Sequence, residues 1–108
     1  MFGLFKTKKN YQNVDAITFN KLMGETANAV LLDVRTSAEF KEKSMDGAIN
    51  IDAMGSGFSQ KIENLDKTKI YFVYCRSGNR SGSACNVMGD MGFEQVYNLS
   101  GGLMSWPF

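Results

Sequence analysis

The sequence predicts an α/β domain of three layers, a mainly parallel sheet of about five strands covered by helices on both faces. Two observations carry this. Short β-branched or aromatic runs alternate with segments of helical spacing, and two of the runs, 29–34 and 70–74, are so continuously apolar that they read as strands buried on both sides. A chain of 108 residues is long enough for one core without disulfide or metal staples. We read residues 13–108 as that single domain and residues 1–12 as a flexible N-terminal segment.

Taken in order, Asp15-Ala16-Ile17 predicts a short first strand, and Thr18 the cap of a brief helix that carries Phe19, Leu22 and Met23. Ala29 to Val34 is the second strand. Thr36-Ser37-Ala38-Glu39 has the form of a capping box and opens a helix to about Lys43. Ala48 to Ile51 forms a third strand, Gly55-Ser56-Gly57 a connection, and a helix follows from about Phe58 to Asn64. Ile70 to Tyr74 is the central strand. Ala84, Val87, Met88 and Met91 recur at helical spacing and predict a helix from about Asn79 to Met91, stopped by Gly92. Val96 to Leu99 is the last strand, and Gly101-Gly102 turns into a terminal segment with Trp106 as a packing anchor.

Composition excludes several functions. Apolar residues make up 44% and charged residues 21%, as in ordinary globular proteins, and the net charge of +1 gives no footing for nucleic acid. Phe2, Leu4 and Phe5 precede Lys6, Lys8 and Lys9, the reverse of a secretory signal and too short to span a bilayer, so no stable membrane insertion is expected. The chain has no histidine, which removes Cys-His pairs and Ser-His-Asp triads, and two cysteines alone do not complete a tetrahedral zinc site. No metal or cofactor is expected. Cys85, beside the apolar face of its helix, reads as a small core residue.

The chemistry concentrates at Cys75-Arg76-Ser77-Gly78-Asn79-Arg80-Ser81, where a cysteine leaves the central strand and meets two arginines and a glycine before a helix begins. Free amides at a helix N-terminus, the positive end of the helix dipole and the two guanidinium groups all favour an anion, the Cys75 thiolate included. Each tenfold gain in thiolate over thiol needs about 1.4 kcal/mol, within reach of such a loop, so no separate base is required. From Lys67 to Gly89 there are four cations and no carboxylate, which attracts a small anionic substrate. Gly78 is expected to take a positive φ or to let a substrate oxygen reach the backbone, while Ser77 and Asn79 act through their amides and Ser81 supports the loop. In parallel α/β sheets, ligands gather beyond the carboxyl ends of the strands, and this places a pocket at Cys75.

The six-residue loop from Cys75 to Arg80 resembles the active-site loop of the single-domain rhodanese sulfurtransferases. The resemblance extends to Leu31-Leu32-Asp33-Val34-Arg35 with Glu39-Phe40, Gly47-Ala48-Ile49-Asn50-Ile51, Gly92-Phe93, and Gly101-Gly102 with Trp106, from about Val14 to the C-terminus. It implies a catalytic Cys75 that carries sulfane sulfur as a persulfide. Arg76, Ser77, Gly78, Asn79 and Arg80 would bind the anionic donor, and Asp33, Arg35 and Ser81 would support the loop. Arg35 with Glu39 resembles the family's structural ion pair, and Asp33 would anchor loop backbone. The implied partners are a small anionic sulfur donor such as thiosulfate and a thiol, cyanide or protein sulfur acceptor, in the cytoplasm, where a reactive thiol persists. One departure stands out: many members have His-Ile-Pro where this chain has Ser44-Met45-Asp46, and the missing proline suggests a looser connection. Two rivals remain open. A phosphatase or arsenate reductase on a related scaffold would place its arginine one position later, at Ser81; a non-catalytic or sulfur-relay module would share the fold without the turnover.

Overall fold

Helices and strands alternate along the whole of the computed structural model, which describes residues 10–108. The strands are β1 (Gln12–Val14), β2 (Ala29–Asp33), β3 (Ile49–Asn50), β4 (Ile70–Tyr74) and β5 (Gln95–Leu99). The helices are α1 (Ala16–Glu25), α2 (Ser37–Glu42), α3 (Phe58–Glu63) and α4 (Asn79–Asp90), and a 3-10 turn spans Leu103–Ser105. All strand pairs are parallel, in the order β1-β5-β4-β2-β3. The expected five-stranded sheet is present, with β4 at its centre.

Alternation along β4 divides the core. Tyr71, Val73 and Cys75 join Ala84, Cys85 and Met88 of α4 and Ile62 of α3 on one face. Phe72 and Tyr74 join Phe19 of α1, Leu99 and Met45 on the other. Phe19 meets Phe72 edge-on at 5.4 Å between centroids and Trp106 at 5.7 Å, which makes Trp106 the anchor that its composition suggested. The side-chain period of two in a strand thus sends Cys75 toward α4 rather than toward α1.

The start of the domain differs from expectation. Asp15-Ala16-Ile17 is not a strand: β1 lies just before it, and Asp15 is the N-cap of α1, its Oδ1 accepting the Thr18 N–H at 2.8 Å. Thr18 is therefore the recipient of the cap rather than the cap. An aspartate two residues after Gln12-Asn13 accounts for it, since its short carboxylate satisfies an orphan amide better than a threonine within the helix can. Gln12 is already in the sheet and Tyr11 packs on the core, so the fold reaches into the segment read as flexible. The apolar-then-basic run at Met1 to Lys9 lies outside the described residues.

The other boundaries follow local chemistry. Thr36 and Glu39 form the capping box of α2, with both reciprocal hydrogen bonds made. Gly92 (φ 97°) ends α4 by a left-handed residue, and the Phe93 N–H donates to Met88 O at 3.1 Å.

Candidate active site

Cys75 leaves the carboxyl end of β4 and the chain turns at once into α4, whose N-cap is Gly78 at φ 102°. That turn aims donors at sulfur. Cys75 Sγ accepts the Gly78 N–H at 3.1 Å, the Ser81 N–H at 3.3 Å and the Ser81 hydroxyl at 3.3 Å. Cys75 is fully buried, and burial pushes its thiol up. The Ser81 hydroxyl, then the amides of Ser81, Gly78 and Ser77, together outweigh that and hold it below the ordinary thiol range. Ser81 is thus more than loop support: it supplies two of the donors.

A second segment holds the loop from behind. Leu103 N–H donates to Cys75 O at 2.8 Å and Met104 N–H to Arg76 O at 3.0 Å. With the loop's carbonyls drawn outward, its amides are free to face Sγ. The fit is close: a Cβ on Gly102 (φ 67°) would overlap Arg76 O, and one on Gly78 would overlap Ser100 O. Gly78 therefore has the positive φ expected, and it is backbone of this chain that it approaches. Asn98 of β5 adds a side-chain tether, its Nδ2 donating to Asn13 Oδ1 at 2.8 Å and to Gly78 O at 3.3 Å. Its buried Oδ1 is left without a partner among the described residues, the cost of aiming the amide nitrogen at the loop. Sequence reading missed Asn98 and the Leu103 and Met104 amides; the paired glycines at 101–102 were the signal.

The ion pairs differ from the expected arrangement. Arg35 does not pair with Glu39. Its guanidinium grips the buried Asp33 carboxylate, with Nη2 to Oδ2 at 2.6 Å, and lies 5.7 Å from the Tyr74 ring centroid. Asp33 Oδ1 also accepts the Arg35 N–H at 2.8 Å, the backbone anchoring foreseen for it. A two-residue spacing lets the side chain fold back on its own strand end, which leaves Glu39 open to the loop. Glu39 instead holds Arg80 by two bonds of 2.8 and 3.1 Å while completing the α2 cap. The Arg80 hydrogen bond, then the Thr36 amide, pull the Glu39 carboxyl down to about 2. Arg76 is exposed and its guanidinium makes no bond to the described residues. Ser77 and Asn79 are exposed beside it, and Asn79 opens the first turn of α4. The cationic stretch from Lys67 to Gly89 is partly neutralised from elsewhere, Arg80 by Glu39 and Lys67 by Glu63 at 3.0 Å.

The connection at Ser44-Met45-Asp46 is not loose. Met45 is buried and its N–H donates to the Tyr74 hydroxyl at 3.0 Å, a side-chain anchor in place of the proline. Beside the loop opens a cleft of about 570 Å³ lined by Arg35, Glu39, Glu42, Lys43, Arg76, Leu103 and Met104.

Comparison with known proteins agrees with the fold. A model described as a rhodanese-like domain matches residues 15–107. A putative sulfurtransferase of Bacillus subtilis, YtwF, is 42% identical over 76 residues, covering 70% of this chain and 71% of the relative. A sulfurtransferase of Allochromatium vinosum is 28% identical over 93 residues, 86% of this chain and 85% of the relative. A tRNA uridine(34) hydroxylase of Cytophaga hutchinsonii is 32% identical over 103 residues, which cover 93% of this chain but 33% of that larger protein. Among solved structures, a rhodanese-related protein from Thermoplasma volcanium superposes with a TM-score of 0.75 at 30% identity, covering 89% of this chain and 90% of that one.

Proposed function

The chain belongs to the rhodanese-like domain family, and from that footing we propose that it is a sulfurtransferase that moves sulfane sulfur from thiosulfate, or a related small anion, to a thiophilic acceptor through a persulfide on Cys75. One observation carries the reading: a buried cysteine whose sulfur accepts two amide hydrogens and a hydroxyl hydrogen, so that its thiolate is favoured despite burial.

In the first half-reaction the Cys75 thiolate attacks the outer sulfur of thiosulfate. A bond forms between Sγ and that sulfur, the sulfur–sulfur bond of the donor breaks, and its electron pair leaves with sulfite. Sulfite is a stable anion, so departure needs no protonated histidine. The amides and the Ser81 hydroxyl that stabilised the thiolate then face the anionic persulfide, fixed in place before the reaction. In the second half-reaction cyanide or a thiolate attacks the outer sulfur, and the electron pair of the breaking bond returns to Cys75. Of the two arginines, Arg80 is held by Glu39 and positions α2 against the loop, whereas Arg76 has its donors open to the sulfonate oxygens. No described helix is long and apolar enough to cross a membrane, and a reducing compartment such as cytoplasm suits the free thiol.

Intact-protein mass after thiosulfate and then cyanide tests the reading. A gain of one sulfur that cyanide removes, absent in Cys75→Ser, supports it. Failure of a folded, reduced protein to gain sulfur from thiosulfate or other sulfane donors, or full sulfur transfer by Cys75→Ser, overturns it.

A further inference from the structure

We propose that the cleft at the Cys75 loop and the apolar hollow beside it form one docking groove for a protein acceptor, an extended segment with an acidic side chain near its cysteine and a large apolar side chain further along. The proposal rests on the sulfur-transfer reading and names the partner of that site.

The hollow has a volume of about 320 Å³, and its apolar wall is made by Met23, Leu31, Met45, Leu103, Trp106 and Phe108. Lys43 and Leu103 line both it and the cleft, so the two are neighbours on one face. Leu103 is also the residue whose amide holds Cys75 O, which ties this groove directly to the nucleophile. A small inorganic donor needs the loop alone and fills little of a 570 Å³ cleft. The remainder therefore suits a longer occupant that reaches the thiol from the side.

Charge and surface say what that occupant carries. The Lys43 ammonium and the Arg76 guanidinium make no ion pair among the described residues; of the carboxylates that line the cleft Glu39 is spent on Arg80 and Glu42 opposes them, while Asp46 stands on the hollow, away from the loop end. The uncommitted charge on the cleft is thus positive on balance and matches an acidic side chain. Met104 at 68% exposure on the cleft and Phe108 at 64% on the hollow set an accessible apolar side chain at each. Two methionines, Met104 on the cleft and the half-buried Met23 on the hollow, give the groove side chains that adapt to a peptide. A free small thiol standing at Cys75 would use none of the hollow.

In the transfer step the acceptor thiol loses its proton to solvent, and its thiolate attacks the outer sulfur of the Cys75 persulfide. The bond from that sulfur to Cys75 Sγ breaks and its electron pair restores the thiolate, so the acceptor leaves as a persulfide with no outside oxidant or reductant.

The experiment loads the full chain with thiosulfate and follows sulfur transfer to acetylated, amidated peptides in which a cysteine is flanked by aspartate and followed, across glycine spacers of several lengths, by leucine. Controls replace the aspartate and leucine by serine. For the best spacer, kcat/KM is expected to exceed that of its control by about tenfold or more, the size expected from one apolar side chain buried. Lys43→Glu and Phe108→Ala, both exposed positions, are expected to erase most of that preference while the rate with cyanide is unchanged. Equal rates for peptide and control at every spacer, or variants that slow cyanide and peptide alike, overturn the proposal. A parallel titration with cysteine replaced by serine reads binding through Trp106, the chain's single tryptophan, which lines the hollow. It needs no turnover, so it separates failure of the groove from failure of the persulfide chemistry: an emission change for the acidic-leucine peptide and none for the control supports the groove, and no difference between them overturns it.

Discussion

Cys75 and Cys85 sit in the same apolar cluster under α4, both fully buried, yet their thiols are driven in opposite directions. Burial pushes both up. At Cys85 nothing offsets it and the thiol stays protonated; at Cys75 the hydroxyl and amides of the loop reverse it. The difference lies in where each stands on α4. Cys85 is mid-helix, where every N–H is used by the carbonyl four residues back. Cys75 faces the first turn, where the amides from Gly78 to Ser81 have no such partner and Sγ takes two of them. The contrast between the two thiols follows from hydrogen-bond donors at the helix start, the Ser81 hydroxyl first and the loop amides after it.

The largest way to break that comparison is to exchange the cysteines' fates. Cys75→Ser is expected to lower persulfide formation by at least about a thousandfold, whereas Cys85→Ala keeps the rate within about twofold and lowers stability by roughly 1 kcal/mol, the cost of a small cavity. Mass analysis and denaturant unfolding read the two effects. Loss of persulfide in a folded Cys85→Ala would show that the second thiol takes part. Next in size is Gly102→Ala. Its Cβ overlaps Arg76 O at a backbone angle that only glycine takes readily, so the turn must move away from the loop that it holds. Expected are a stability loss of roughly 2–3 kcal/mol and a slower thiol, read as a thiolate ultraviolet absorbance that appears at higher pH than in wild type. An unmoved titration would separate the turn from the thiol. Ser81→Ala follows: loss of one hydrogen bond to a charged group, about 1.5–2 kcal/mol, is expected to slow alkylation of Cys75 roughly tenfold near neutral pH, with a fold of near-native stability. In wild type that rate should rise with pH and level off below the ordinary thiol range. A plateau unchanged in Ser81→Ala would leave the amides as the whole cause.

How much of this was legible in the sequence follows from how local each feature is. The β4 strand, the turn from Cys75 into α4 and the Gly92 stop each rest on contiguous residues with one physical meaning, and as backbone features all three stand as read. The capping box at Thr36 and Glu39 was also legible, but Glu39's second duty was not, because Arg80 comes to it from 41 residues away. Composition likewise could not show that Asn98 reaches Gly78, or that the amides of Leu103 and Met104 turn the loop's donors inward. Those depend on β5 lying beside β4, a matter of register. The error at Asp15 was of another kind, a three-residue shift in a strand too short to declare itself.

The Glu39–Arg80 pair supplies the smallest effect and the sharpest test of charge against local donors. The Glu39 carboxyl is held near 2, below its usual 4.5, so the folded state binds its proton more weakly than the unfolded chain does. Its contribution is present above the unfolded value and lost as pH falls from about 4.5 through about 2. With both side chains roughly a quarter to a third exposed, that contribution is about 1 kcal/mol or less. Glu39→Gln should therefore lower stability at neutral pH slightly and flatten its fall in acid over that window, as denaturant unfolding at several pH values would read. The same variant frees Arg80, which already feels the Cys75 charge. If amides and the Ser81 hydroxyl set the thiol, its alkylation rate should stay within about twofold of wild type. A tenfold change would mean that the guanidinium, once released, outweighs the backbone donors, and the contrast between the two cysteines would then rest on charge after all.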